Sequence, residues 1–409
     1  MRALVLVVFL LLAAQISGAA DSYLEVTAPG SRKLGLYLAP ATTLSGAPAP
    51  AIPKETEEVF TFDLNLAGPF SVTSGGTGQG ASELVLKTAY SLSGEKVTVE
   101  CRLWDAVLNR EVTAKRYSGS QKDVRHMAHA FSDEVLRAVT GERGAFTGRI
   151  AFVSRRSGNK EIALMDSDGH NVQRVTNNGA INLSPDFDPS GREIIYTSYK
   201  KGNPDLYRRE LFTGGEARIS SRPGLNATAT YAPDGRRVAV TLTKDGNSEI
   251  YILDSSGREL SRLTRDPAID VSPAWSPDGS RLAFVSDRLG KPQIFVVNAD
   301  GSNVRRLTTS GSYNVTPRWS PKGDRIVYAR QEGGGFQIHI VNADGSGDAR
   351  LTESGNNQHP HWSPDGRFIV FDSRRDGGEG VYVMRQDGSG ETKVSREAGA
   401  SQPVWSRPW

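Results

Sequence analysis

Residues 275–284 read Trp-Ser-Pro-Asp-Gly-Ser-Arg-Leu-Ala-Phe, and this stretch recurs along the later two thirds of the chain. Counterparts begin at Phe187, Tyr231, Trp319 and Trp362, and a shortened copy runs Trp405-Ser406-Arg407-Pro408. The anchoring aromatics are 44, 44, 44, 43 and 43 residues apart. A fixed period of that length marks a repeat architecture. In the copy at Trp275, a short strand carries the aromatic and Pro277-Asp278-Gly279 turns the chain. Arg281 to Ser286 then reads as a second strand, Gln293 to Val297 as a third and Val304 to Leu307 as a fourth, with a turn at Ala299-Asp300-Gly301. Four strands in such a period make one blade of a β-propeller rather than a helical repeat.

The blade count comes from the two ends of this region. Residues from Arg149 to Thr176 supply only three strands, Ile150 to Val153, Glu161 to Met165 and Val172 to Val175, with no aromatic-Ser-Pro strand before them. That strand reappears at 402–406. The chain is therefore read as mainly β, with a six-bladed propeller over 146–409 closed by its C-terminal strand. Closure removes the edges that an open array would present.

The 43 Gly and 21 Pro among 409 residues agree with a turn-rich β protein, and 37% apolar with 23% charged residues places the chain among globular proteins. Lys and Arg exceed Asp and Glu by 49 to 46 with no basic block, so no nucleic-acid footprint is visible. Residues 1–20 have the layout of a secretory signal: Arg2, an apolar run from Ala3 to Ala14, and small residues at Ser17 to Ala20. The apolar run is shorter than the roughly 20 residues of a spanning helix, so cleavage near Ala20 and an exported mature protein are expected. Cys101 is the single cysteine, which excludes an intramolecular disulfide, and it reads as a small core residue.

Residues 21–145 lack the repeat and read as a smaller α/β domain, with its boundary near Gly141 to Thr147 and a flexible leading segment at 21–33. A strand is expected at 33–38, a helix over 54–66 and a meander over 83–118 that turns at Ser93-Gly94. An amphipathic helix is expected from Gln121 to Thr140, capped by Ser120 and ended by Gly141. Its apolar stripe is Val124, Met127, Ala128, Phe131, Val135 and Val139.

The recurring Ser-Pro-Asp-Gly reads as turn chemistry, and Asp166-Ser167-Asp168-Gly169, Asp300-Gly301, Asp344-Gly345 and Asp387-Gly388 as hairpin turns rather than calcium loops. Five residues before each aromatic stand Asn182, Asn226, Asp270, Asn314, Asn357 and Ala400, a polar ring at the entrance to the inner strands. Such a ring suits a partner or an ion, although Asn also favours a turn that enters a strand. His359 and His361 share one strand face, where two imidazoles can share a metal, but no third ligand occupies an equivalent position in another blade. His126 and His129 read as surface or satisfied histidines. No Gly-x-Ser-x-Gly is present, and Gly75-Gly76-Thr77-Gly78-Gln79-Gly80 lacks the Lys of a phosphate loop. No catalytic residue, cofactor or metal is assigned.

Two stretches carry a family resemblance. The first is the Trp-Ser-Pro-Asp-Gly-x-x-Leu-Ala-Phe repeat. The second is the junction, where Ala128-His129-Ala130-Phe131-Ser132-Asp133-Glu134-Val135 is followed by Thr140-Gly141, Gly144-Ala145-Phe146 and Arg149-Ile150-Ala151-Phe152. Together they resemble the TolB family of the bacterial Tol-Pal envelope system. The resemblance implies a non-enzymatic periplasmic adaptor that supports outer-membrane integrity and constriction during cell division. It implies that the propeller mouth docks the lipoprotein Pal through Asn182, Asn226, Thr228, Asp270, Val271, Asn314, Asn357 and His359. It also implies that a segment around Ser22 to Arg32, with Tyr23, Leu24, Glu25 and Val26, engages TolA, and that outer-membrane proteins are further possible partners. The competing readings are a TolB-like propeller that binds another ligand, or a polysaccharide lyase with a metal in the channel.

Overall fold

A computed structural model describes residues 32–408 apart from 47, 77–81 and 376, so the segment with Tyr23, Leu24, Glu25 and Val26 lies outside the described residues. The N-terminal domain is a mixed sheet, ordered Phe70–Ser74, Leu34–Leu38, Leu84–Ser93, Lys96–Asp105 and Arg110–Ser120, with Thr42–Ser45 also paired to Leu84–Ser93. Leu34–Leu38 runs parallel to both neighbours, whereas the last three strands form the antiparallel meander. Two helices, α1 (Ala51–Ala67) and α2 (Val124–Thr140), pack together and cross at an edge-to-face pair, Phe60 against Phe131, with ring centroids 6.2 Å apart.

Helix α1 starts three residues ahead of the expected 54. Helix α2 is preceded by a separate 3₁₀ turn, Gln121–Asp123, where the Ser120 N–H donates to Asp123 Oδ2 over 2.7 Å. Gly141 ends α2 in the left-handed region, φ 77°, and its N–H donates to the Arg137 carbonyl. Cys101 is buried in this core, and burial pushes its thiol up to about 12.

Six four-stranded antiparallel sheets follow. Their inner strands are Asn182–Phe187, Asn226–Tyr231, Asp270–Trp275, Asn314–Trp319, Asn356–Trp362 and Ser401–Trp405. The last pairs with Arg149–Ser154, setting Ser401 against Val153 and Trp405 against Ile150, so one blade is built from both ends of the repeat region. The outermost strands are short; the expected Val304 to Leu307 shrinks to Arg305–Arg306.

The repeated motif explains how blades stack. Trp275, Trp319, Trp362 and Trp405 are buried. The guanidinium groups of Arg237 and Arg281, each from the preceding blade, lie 4.8 Å from the ring centroids of Trp275 and Trp319. Ser276 Oγ donates to Asp278 Oδ1 over 2.5 Å and accepts the Arg281 N–H over 3.0 Å, which closes the turn on itself. Gly279 has φ +69°, and a Cβ there would come within 3.2 Å of Pro233 in the neighbouring blade. Asp and Ser recur because the turn needs them.

The N-terminal domain sits on the end of the propeller formed by these turns. Arg385 Nη1 donates to the Leu66 carbonyl over 3.2 Å, and Arg367 Nη2 to Glu142 Oε2 over 3.0 Å. One continuous apolar core crosses the junction: Phe146 lies 5.4 Å from Phe368, whose ring stacks on Trp405 at 6.0 Å. The opposite end, where the inner strands begin, is left uncovered among the described residues.

Closure and junction therefore converge on Trp405. Trp405→Ala is expected to cost about 3–5 kcal/mol, the range for emptying a large aromatic site, and deletion of residues 403–409 at least as much. Thermal unfolding of both variants, with an unchanged melting temperature contradicting the role of the closing strand, checks this.

Candidate functional site

The uncovered end has a small channel at its centre, lined by the inner strands. Each inner strand carries a bulge where its pairing register shifts, as between Leu183 and Asp186 or between Val271 and Ala274. The first bulge residue has positive φ in every blade: Ser184 (52°), Thr228 (49°), Ser272 (54°), Thr316 (51°), His359 (47°) and Gln402 (52°). In five of the six a proline follows, at 185, 273, 317, 360 and 403; Ala229 takes its place in the sixth. Positive φ is strained for any residue with a side chain, most of all for β-branched Thr228 and Thr316. Six repetitions fix a ring of side chains around the channel.

Thr228 and His359 line this channel. Thr228 Oγ1 lies 2.8 Å from Thr241 Oγ1, and His359 Nδ1 lies 2.8 Å from Asp372 Oδ1. Deeper in, Asp186 faces Arg318 Nη1 at 3.8 Å and His361 Nε2 at 3.9 Å. Burial, reinforced by the positive Arg318, pushes His361 down to about 3, so its imidazole is neutral near pH 7. His359 and His361 each satisfy Nδ1 inside the protein, His361 on the Trp362 carbonyl at 2.8 Å.

The polar ring requires a correction. Asn182, Asn226, Asp270, Asn314 and Asn357 are 0% exposed, so none presents its side chain to a partner. Asn357 Nδ2 donates to Gln337 Oε1 (2.8 Å), which also accepts the Thr352 hydroxyl (2.7 Å), while Thr352 Oγ1 accepts the Ile338 N–H (2.9 Å). The same chain recurs as Thr308, Gln293 and Asn314, with Arg330 Nε donating to Asn314 Oδ1 over 2.9 Å. In Asp270 the carboxylate takes the Arg288 guanidinium at 2.9 Å instead, and burial raises its pKa. These residues tie the outer strands of one blade to the inner strand of the next. Val271 is half-buried against the apolar core.

What the mouth does present stands one residue earlier. Ile181 (45% exposed), Ile269 (52%) and Tyr313 (37%) lie on the rim with half-buried Leu225, in four successive blades. Leu289, 61% exposed in the neighbouring loop, extends the arc. Around it the mouth-side loops carry exposed Arg155, Arg156, Lys201, Arg265, Lys291 and Arg374. An apolar arc with a polar surround in which cations predominate has the make-up of a protein-docking surface. Sequence reading missed it because a lone apolar residue beside a strand is ordinary core content; its recurrence before Asn182, Asn226, Asp270 and Asn314 was the available signal. Helix residue His126 is exposed as expected, whereas His129 is buried with Nδ1 2.8 Å from Asp63 Oδ2.

The two classes of residue should behave oppositely on mutation. Asn314→Ala removes one buried hydrogen bond from Gln293 Oε1 and one from Arg330 Nε and is expected to cost about 1–3 kcal/mol, whereas Ile269→Ser should stay within about 0.5 kcal/mol of the parent. Denaturant unfolding of the two variants measures the contrast.

Comparison with known proteins gives concordant findings. A family model described as the TolB beta propeller domain matches residues 136–408. Tol-Pal system protein TolB of Geobacter sulfurreducens is 56% identical over 191 residues, a stretch covering 42% of this chain and 44% of that protein. The counterpart in Syntrophotalea carbinolica is 45% identical over 197 residues, covering 43% and 46%. The chain thus aligns with less than half the length of these curated relatives. The crystal structure of TolB from Acinetobacter baumannii superposes with a TM-score of 0.81 at 26% identity, covering 92% of this chain and 97% of that one.

Proposed function

The chain belongs to the TolB beta-propeller domain family, and from that premise we propose that it is a non-enzymatic periplasmic adaptor of the Tol-Pal system. On this reading the propeller mouth docks the lipoprotein Pal, the segment from Ser22 to Arg32 engages TolA, and the pair of contacts serves outer-membrane integrity and constriction during division. The secretory layout of residues 1–20 supports the compartment, and no helix among the described residues is long and apolar enough to cross a membrane.

The observation that carries the reading is the apolar arc Ile181, Leu225, Ile269 and Tyr313 on a rigid rim opposite the N-terminal domain. A standard protein interface buries about 1,600 Å² in total, with an apolar core inside a polar rim. A propeller mouth has the breadth for it, and the surrounding cations favour a partner whose matching rim is acidic. Thr228 and His359 line the floor, where a side chain inserted by the partner meets them, and Val271 lies under the arc. The buried ring residues hold the loops in place from below.

Calorimetric titration with the soluble domain of Pal tests this. One-to-one saturable binding is expected, weakened at least tenfold by Ile269→Asp combined with Tyr313→Ala while the melting temperature holds. Absence of saturable binding, or an affinity indifferent to both substitutions, overturns the mouth as the Pal site. Removal of residues 21–33 is expected to abolish binding of the TolA C-terminal domain and to change Pal affinity; an unchanged Pal affinity shows the two contacts to be uncoupled.

A further inference from the structure

Away from the mouth, one cluster brings together three metal-ligating side chains among the described residues. His129, Asp166 and Asp168 each offer a ligand atom within 4.8 Å of the others. They meet at the seam between the domains: His129 comes from α2, Asp166 from the end of strand Glu161–Asp166, and Asp168 from the turn after it. His129 is 1% exposed and Asp168 7%.

The two ring nitrogens of His129 have different surroundings. Nδ1 faces Asp63 Oδ2 of α1 at 2.8 Å. Nε2 has no hydrogen-bond partner and faces Asp168 Oδ2 at 3.5 Å. That gap is longer than the roughly 2.7–3.2 Å of an N–H···O hydrogen bond. It matches the spacing of about 3.3–3.6 Å that a tetrahedral zinc imposes on two ligands bonded at about 2.0–2.2 Å. A carboxylate behind the imidazole, orienting it toward the cation, is the usual outer support of a metal-bound histidine.

The remaining contacts fix the carboxylates. Asp168 Oδ1 accepts the His170 N–H over 3.1 Å; Oδ2 also meets Arg125 Nη2 and lies 3.2 Å from His170 Nδ1. Asp166 Oδ2 accepts Asn171 Nδ2 over 2.6 Å, and Oδ1 lies 3.5 Å from Arg149 Nε. Arg125 also pairs with Glu58 Oε2 at 3.1 Å, so its guanidinium bridges Asp168 and Glu58. Three carboxylates, Asp63, Asp166 and Asp168, converge on one imidazole against the guanidiniums of Arg125 and Arg149.

We propose that the domain seam binds one divalent cation of the zinc class through His129 Nε2, Asp168 and Asp166, with Asp63 orienting the imidazole and water completing the set. The mixed nitrogen and oxygen donors suit zinc over calcium or magnesium, which take oxygen cages of six or more ligands. The bound ion ties α1 and α2 to the first blade, and it stands independently of what docks at the mouth.

The test uses the purified chain, stripped with a chelator and titrated with zinc sulfate against a chromophoric competitor, with bound metal counted by mass spectrometry. One zinc per chain is expected, with a melting temperature several degrees higher in zinc and unmoved by magnesium. Asp166→Asn, at the margin of the cluster, should bind at least tenfold more weakly while keeping its far-ultraviolet circular dichroism. Asp168→Asn and His129→Gln should lose the site. His126→Gln and His361→Gln should retain it. Zinc binding absent from the parent, or unaffected by Asp166→Asn and Asp168→Asn, or lost on His361→Gln, overturns the proposal.

Discussion

The propeller depends on a short polar relay repeated between its blades. A threonine just past the outermost strand accepts a backbone N–H and passes its hydroxyl to a Glu or Gln on the third strand, as in the Thr264 bond to Glu249 at 2.5 Å. In several blades that side chain in turn holds the Asn that opens the next inner strand. Burying amides and carboxylates is tolerable only when each finds a partner, because an orphan costs about 1–3 kcal/mol. The relay meets that demand and at the same time fixes where one blade ends and the next begins. The interblade tryptophans then fill a space whose width is already set.

This constraint explains why the sequence reveals the fold more readily than the site. Turn residues and aromatics act locally, so the periodic Trp-Ser-Pro-Asp-Gly makes six blades countable, and the strand missing before Ile150 can be matched to residues near Val404. The ring Asn residues have the same regularity, yet regularity does not say whether a side chain points at solvent or into a relay. Their burial depends on Gln337 or Arg330, about 20 positions away, which no local pattern links to them. The rim residues Ile181, Ile269 and Tyr313 were hidden for the converse reason: an isoleucine beside a strand is ordinarily core. His129 lay furthest from inspection, since Asp63 and Asp168 approach it from 66 and 39 residues away on different domains.

Backbone strain at the bulges shows how the channel keeps its shape. Positive φ at six equivalent positions is sustained because neighbouring blades brace one another, as where the Gln402 amide oxygen accepts the Ser184 N–H at 2.8 Å. On the proposed docking role, specificity rests on the rim side chains, which can change without disturbing the relay beneath them.

The ring is sealed late. Arg149 exchanges hydrogen bonds with Ser406, 257 residues further along. At synthesis rates of about 5–20 residues per second, roughly 13–50 s separate the appearance of the first blade's opening strand from that of its last. Throughout that interval the nascent propeller has an open seam, and its two outermost edges cannot satisfy each other. The strand pair that closes the ring is thus also the last in the propeller to have both of its members synthesised.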